Sequence, residues 1–534
     1  MPKWGRTLNG KNKEEKIMKK KLLLFMAAVM ALTSAGCGEK KANKPEATGE
    51  LTVAVFDRGN VPEGEGPVDN NRWTQYINES FGKENGIDVK FYPIPRLQEA
   101  EKLNILMASK DAPDICFTYQ TNVYHNFAKQ NGLTDLTELI EEYGDNLKAN
   151  FSDALPFGQY EGKQLSIPAK LALRNALFVS LIRQDWLDAL NLPVPTTTEE
   201  FYNTMVQFKE KDPGNIGKEN VVPFAMSAAS FTDEDYQQNC DALLMSFTGG
   251  MTEEEYYTFP KLKYPGYKEG VRLLNKMYNE GLIDPDFALY NDFKTFEEKI
   301  SSGKAGFYSY DTNKGMVSGG MYDSFKKNVP EGEFVPVDCF KNSEGKYVKR
   351  LSNPTAMYIF VPRFSKNAVS AVKYLNWMAD YNVGMTLTNG NEGEHYNLVD
   401  GIPVPIDAEY NKKTRYNLTD YALIYNGAPY LNKDNVDIQI EKLYPDFAKI
   451  RKESMKLALT DTVEPPFFTV PIDSQSKSKA NLDVKYKEAM IKSIVAKPDE
   501  FDSVYDSMVE EYMASGGEAV MQEKITAYNE HMKK

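Results

Sequence analysis

The chain has 534 residues and carries a net charge of −13, with basic residues interspersed among the acids rather than clustered. That balance argues against a nucleic-acid partner, because phosphate binding depends on gathered Lys and Arg. An apolar fraction of 42% is ample for large cores in two or three domains, and four cysteines in so long a chain exclude a disulfide framework.

In chain order, the first readable element begins at Met18. Lysines, an apolar run from Leu22 to Ala31 and the sequence LTSAGC ending at Cys37 read as a bacterial lipoprotein signal. The apolar run is too short for a membrane span of ~20 residues, and small residues precede the cysteine. Ser34 stands where such signals usually carry leucine, and the nearest leucine is Leu32, so an ordinary secretory peptide is the alternative. Residues 1–17 are polar and fit no signal peptide, which predicts translation from Met18. Cys37 is then the lipidated first residue of the mature protein, and residues 38–50, rich in Lys, Pro and Gly, form a flexible tether.

Folded structure is expected from Leu51. LTVAVF at 51–56, IDVKFY at 87–92 and ICFTY at 115–119 read as strands, with a helix around Trp73 to Phe81 between the first two. Leu136, Leu139, Ile140 and Tyr143 form the stripe of a helix closed by Gly144. The alternation resumes at ALFVSLI (176–182), KAGFYSY (304–310) and TAMYIFV (355–361). It predicts α/β units with a largely parallel sheet covered on both faces. SQSKSKANLD at 474–483 reads as a surface loop. Beyond it Phe501, Val504, Tyr505, Met508, Val509 and Tyr512 keep helical spacing until Gly516 and Gly517 break it before a last helix. Cys116, Cys240 and Cys339 are expected as buried thiols, with one disulfide as the alternative.

Catalytic signatures are missing: there is no Gly-rich phosphate loop, GxSxG elbow, HExxH or paired CxxC. The three histidines, His125, His395 and His531, lie far apart, which speaks against a histidine zinc site and leaves a nucleophile few bases. What stands out is aromatic abundance together with Asn, Gln, Asp and Arg near predicted strand ends. Pyranose C–H faces stack on aromatic rings, and sugar hydroxyls need paired donors and acceptors. Trp186 and Trp377 read as packing residues; Trp73 either stacks a ring or anchors its helix.

An ordered series of segments carries a resemblance. DNNRW (69–73), LNILMASKDAPDI (103–115), GLTDLTELI (132–140), YEGKQLSIP (160–168), IRQDWLDALNLPVPTTTEEF (182–201), EGLIDPDF (280–287), SGKAGF (302–307) and NEGEHYN (391–397) follow one another. Together they resemble the extracellular solute-binding proteins of carbohydrate ABC importers, family 1, in its LplA-like lipoprotein branch. The resemblance implies an α/β fold of the type II periplasmic-binding-protein kind, two lobes with a ligand cleft between them and a helical C-terminal extension. Lobe one would comprise 50–168 and 308–352, and lobe two 172–303 and 357–534, with crossings near Pro168, Ser309 and Pro354. It further implies a monomer without enzymatic activity or cofactor, placed on the outer face of the cytoplasmic membrane of a bacterium of Gram-positive type. Its partners would be an oligosaccharide, the permease subunits of an ABC importer and the membrane through the lipid on Cys37.

Within that frame the expected ligand-binding residues sit where parallel strands end. They are Asp57 and Arg58 after the first strand, Asn71 in DNNRW, and Tyr119 with Gln120 after ICFTY. Arg174 follows the first crossing and either meets a carboxylated sugar or pairs with an acid. Tyr308, Tyr310 and Asp311 follow SGKAGF, with core packing as the alternative, and Glu392, His395 and Tyr396 lie in a glycine-bounded loop. Some branches of the family hold calcium after the FKEKDP segment. Here Ile216 and Val221 stand where oxygen donors would be needed, so no metal is expected. Alternatives from other classes are a lipoprotein glycoside hydrolase using two carboxylates, and a receptor of this fold that binds peptide or signals.

Overall fold

The computed structural model describes residues 49–232, 240–312, 314–338 and 340–532. The signal, Cys37 and Cys339 lie outside the described residues. The principal strands are β1 (Glu50–Asp57), β2 (Asp88–Pro95), β3 (Cys116–Thr118), β4 (Ile167–Leu171), β5 (Phe178–Arg183), β6 (Val222–Phe224), β7 (Ala305–Asp311), β8 (Phe334–Val337) and β9 (Thr355–Phe360).

They form two sheets. In the first, β1 pairs in parallel with β2 and, through the bridge of Val53 to Ile115, lies beside the start of β3; β9 runs antiparallel between β3 and β4. The short strand Tyr425–Asn426 extends that sheet alongside β4. In the second, the order is β8-β5-β7-β6, with β5 antiparallel to both neighbours and β7 parallel to β6. Both sheets are therefore mixed, where the strand–helix alternation suggested largely parallel ones: β9 and β5 each enter their sheet against the direction of their neighbours.

Period-two burial explains why both sheets are covered on two faces. Along β7, Phe307 enters one buried cluster with Trp186, Phe201 and Phe224, while Tyr308 enters another with Phe325 and Phe334 on the opposite face. Along β9, Ile359 faces Trp73, Phe81 and Leu375, while Tyr358 and Phe360 face Tyr124 and Leu133. The lobe boundaries implied by the resemblance consequently need correction. Ser309 pairs with Ser180 inside the second sheet, so residues 308–311 belong with 178–183, and residues 355–426 return to the first sheet and its core. The chain leaves the first sheet after Leu171, comes back before Thr355 and leaves again after Asn426.

The C-terminal helices α4 (Asp473–Val495), α5 (Phe501–Tyr512) and α6 (Glu518–His531) are fused to the second lobe, for Leu482, Tyr486, Met490, Phe501 and Tyr505 share its core with Trp186 and Phe224. Residues 474–483 are thus the first turns of α4 and not a loop. The Glu523 carboxylate accepts from the backbone N–H groups of Asp473 and Ser474, both at 2.8 Å, and so caps a helix start that carries no apolar periodicity of its own. Cys116 and Cys240 are buried free thiols whose ionisation burial makes harder. None of the described helices is long and apolar enough to cross a membrane.

Candidate ligand-binding cleft

Two neighbouring cavities meet at Tyr119, the residue that follows β3. The larger encloses about 550 Å³ and the smaller about 290 Å³, which puts the larger within the range of small-molecule sites, roughly 300–1,000 Å³. Tyr119 stacks on Phe56 at the end of β1, with ring centroids 6.1 Å apart and planes 11° from parallel, and the Arg96 guanidinium lies 4.8 Å over the Tyr119 ring. Burial raises the Tyr119 pKa, keeping the phenol neutral at any ordinary pH.

The large cavity has walls from both lobes. From the first come Tyr119, Gln120, Thr121, Asn122 and His125, which open the helix Thr121–Lys129; from the second come Tyr257, Phe259 and the C-terminal helices; Asn353 lies on the chain's return. Phe467 and Phe468 line it as well. Aromatic faces alternate with amides, Gln120, Asn122, Asn353 and Gln475, which offer both donors and acceptors. His125 is buried, and that burial lowers its pKa to about 4, so a neutral imidazole faces the cavity.

The small cavity lies on the first lobe alone. Arg58 projects into it and forms a two-pronged ion pair with Asp420, at 2.8 and 2.6 Å, which raises the Arg58 pKa. Asp57 lies beside this wall and turns its carboxylate back to accept from the N–H of Gly59 at 2.9 Å.

Of the residues expected from the sequence, Tyr119 and Gln120 line the large cavity and Arg58 the small one; the rest are placed elsewhere. Asn71 is a helix cap: its carbonyl oxygen accepts from the N–H groups of Trp73 and Thr74, and its amide donates to the Tyr421 hydroxyl at 2.7 Å. Arg174 pairs with Glu464 and donates to the Ser352 carbonyl at 2.8 Å, the acid-pairing alternative. Tyr308 is in the core, its hydroxyl without a partner, because β7 directs alternate residues to opposite buried faces. Tyr310 donates to Glu297 and packs on Phe296, and Asp311 lies within 3.8 Å of Lys314. Glu392 is exposed, outside either cavity, and Tyr396 is buried in the hairpin of Tyr396–Val399 and Ile402–Pro405. His395 is wholly buried, its Nδ1 accepting from the Asn391 N–H at 3.0 Å and its ring 5.5 Å from that of Trp73. The loop holding His395 is a structural lock. Glu394 accepts from Arg72 at 2.6 Å and from Tyr410 at 2.8 Å; although burial opposes it, the hydrogen bonds from Asn391, Tyr410 and Arg72 hold its pKa down at about 2. Trp73 anchors its helix, donating to the Thr414 carbonyl at 2.8 Å.

Sequence reasoning missed Tyr257, Phe259, Phe467, Phe468, Asn122, Asn353 and Gln475. The available signal was Pro465-Pro466-Phe467-Phe468, two aromatics in a stretch whose prolines exclude both helix and central strand.

The family model for bacterial extracellular solute-binding proteins matches residues 66–381, more than half of the chain. The chain belongs to that family. Lipoprotein LipO of Bacillus subtilis is 25% identical over 96% of this chain and 98% of its own length. The polygalacturonan/rhamnogalacturonan-binding protein YtcQ of the same organism is 21% identical over 82% of this chain and 84% of its own. Among solved structures, an HMO-binding ABC-transporter-associated solute-binding protein from Bifidobacterium longum infantis superposes with a TM-score of 0.66 at 17% identity, covering 91% of this chain and 99% of that one. The fold is that of a type II periplasmic-binding protein.

In this solute-binding protein the crossings are bound to one another. Ser352 donates its N–H to the Asn175 carbonyl at 3.0 Å, Leu351 donates to Val463 at 2.9 Å, and Arg174 spans Ser352 and Glu464. From Glu464 the segment 464–472 runs as a strap along the cavity. Phe467 packs edge-on against Phe157 at 5.7 Å and joins the first lobe's cluster, whereas Phe468 packs against Tyr257 at 6.2 Å and joins the second's. Beyond the strap, Lys129 of the first lobe pairs with Asp473 at the start of α4. Near 212–220, the Asp212 carboxylate accepts from the N–H groups of Ile216 and Gly217 at 3.0 and 2.8 Å, so the segment closes on itself. Among the described residues, no group of three or more acidic, His or Cys side chains is arranged to hold a metal ion.

Proposed function

We propose that the protein is the capture subunit of a carbohydrate ABC importer: it takes an oligosaccharide into the large cavity between its lobes and passes it unchanged to membrane permease subunits. The observation that carries this reading is a cavity with walls from both lobes that alternates aromatic faces with amides. YtcQ and the Bifidobacterium protein, both described as binding glycans, support the ligand class.

Capture follows from the two-walled geometry. A glycan resting on one wall gains contacts from the other only when the lobes approach, so binding selects the closed arrangement. A micromolar affinity corresponds to about 8 kcal/mol, within reach of one or two stacked rings and several hydrogen bonds at ~1 kcal/mol net each. Hydrolysis would require two carboxyl groups flanking the scissile bond. Asp483 is the carboxylate lining the large cavity, and it is held by Lys479 at 3.0 Å; in the small one Asp420 is committed to Arg58. A lipid on Cys37 would keep the protein at the outer face of the cytoplasmic membrane, and a tether of residues 38–50 would give it reach. Intact mass of the native protein checks that part: a mature chain starting at Cys37 with added acyl mass is expected, and a chain retaining Met1 contradicts it.

The ligand class is tested by a thermal-shift screen of the purified protein against a glycan library. At least one oligosaccharide should raise the melting temperature in proportion to the logarithm of its concentration and be recovered with unchanged mass. A shortened glycan recovered from the mixture would indicate an enzyme instead.

A further inference from the structure

Three lysines, Lys261, Lys479 and Lys524, line the large cavity against one carboxylate, Asp483, in a chain whose overall charge is −13. An acidic protein that gathers cations at one cavity does so against its own average composition. Two of the three are already matched. The Lys261 ammonium, buried, lies 3.6 Å from Asp241, and Lys479 holds Asp483 across one turn of α4.

Lys524, on α6, is different: half-buried at the cavity wall, it makes no hydrogen bond or ion pair with any described residue. The acids beside it in the chain and at the start of α4 are engaged. Its neighbour Glu523 is turned to the start of α4, where it accepts from Asp473 and Ser474, and Asp473 itself pairs with Lys129. A half-buried lysine beside a cavity, paired with no carboxylate of the described residues, lacks a counter-charge that a ligand can supply, and a charge-assisted bond of this kind is about twice as strong as a neutral one.

We propose that the cleft takes oligosaccharides bearing carboxylate groups, such as uronate units, and that Lys524 is the side chain that selects them. This rests on the reading of the cavity as a glycan site and adds charge to it. A neutral glycan would fill the same aromatic and amide contacts and leave Lys524 without its partner; an acidic one would use both.

The test is calorimetric titration of the purified protein with di- and trisaccharides of galacturonate, glucuronate and mannuronate, each beside its methyl ester, which keeps rings and hydroxyls and loses the charge. At least one acid should bind about tenfold tighter than its ester, with affinity falling as salt is raised. Lys524→Met should bring the acid down to the ester's affinity without altering the ester, Lys524→Arg should keep the preference, and both variants should melt as the parent does. Esters or neutral oligosaccharides that bind as tightly as the acids, or a preference unchanged in Lys524→Met, would overturn the charge selection while leaving glycan capture standing. Failure of every acidic and neutral glycan to bind would remove both.

Discussion

At the residue scale, Tyr119 is where the two cavities meet and where strand order, aromatic stacking and exposure coincide. Its ring lies on Phe56 and under Arg96 with part of its surface open, so Tyr119→Ala should weaken glycan binding at least tenfold while the melting temperature changes little. Tyr310→Phe should do the reverse, removing the hydroxyl held by Glu297 and leaving affinity unchanged. Parallel titrations and melts of the two variants check both. His125 supplies a pH prediction with a definite sign. Buried and neutral, it titrates near 4 in the fold against about 6.5 in the unfolded chain, so the unfolded chain binds the extra proton first. Its stability contribution is complete above pH 6.5 and declines as pH falls from there toward 4, by about 3 kcal/mol in all. Urea unfolding at pH 7 and pH 4.5 should show a smaller acid loss in His125→Gln than in the parent; an equal loss would contradict it. His395, lowered in the same direction by burial, stays in the variant and keeps part of the slope. The place of Arg58, Tyr119 and Gln120 on the cavity walls was legible because a strand's carboxyl end is a fixed address for loops. Asn71, Tyr308 and His395 were not, since a cap, a core tyrosine and a loop lock use the same residue types as a sugar site. What separates them is the partner across the fold: Tyr421 for Asn71, Phe334 for Tyr308, Trp73 for His395.

At the scale of elements, the strap 464–472 links cleft and stability. Adjacent phenylalanines point into opposite lobes, so the strap ties the walls and forms part of the cavity at once. Phe467 is half-buried, so Phe467→Ala should cost about 1–2 kcal/mol, below the 3–5 typical of a fully buried ring, and should weaken binding as well. Denaturant midpoints together with titration check this, and a variant that binds normally would reduce the strap to a connector. The helix α4 shows why some elements escape sequence reading. Its first ten residues carry Ser and Lys with no apolar stripe, and their helicity depends on the Glu523 cap and on packing that begins at Leu482 and Tyr486. By contrast β1, β7 and β9 were plain in the sequence because both of their faces are buried and their apolar runs are continuous.

For the whole molecule, two α/β lobes with a cleft between them were legible from the order of segments, while their exact membership was not. Antiparallel β9 returns residues 355–360 to the first sheet, and β5 draws residues 305–311 into the second; a pairing partner well over a hundred residues away leaves no local mark. Arg174, Ser352 and Glu464 gather the crossings, so if the lobes close as proposed, the rotation should be about that point. Small-angle scattering with a saturating glycan should show a smaller radius of gyration than without it, and an unchanged radius under demonstrated binding would remove the closing step. The central claim, a glycan gripped between the lobes by noncovalent contacts, is met most directly by a crystal structure of the complex. An intact oligosaccharide in the large cavity, against Tyr119 and Gln120 on one side and Tyr257 and Phe468 on the other, is the expected result. Density for the glycan on an outer surface, or for a cleaved product in the cleft, would contradict it.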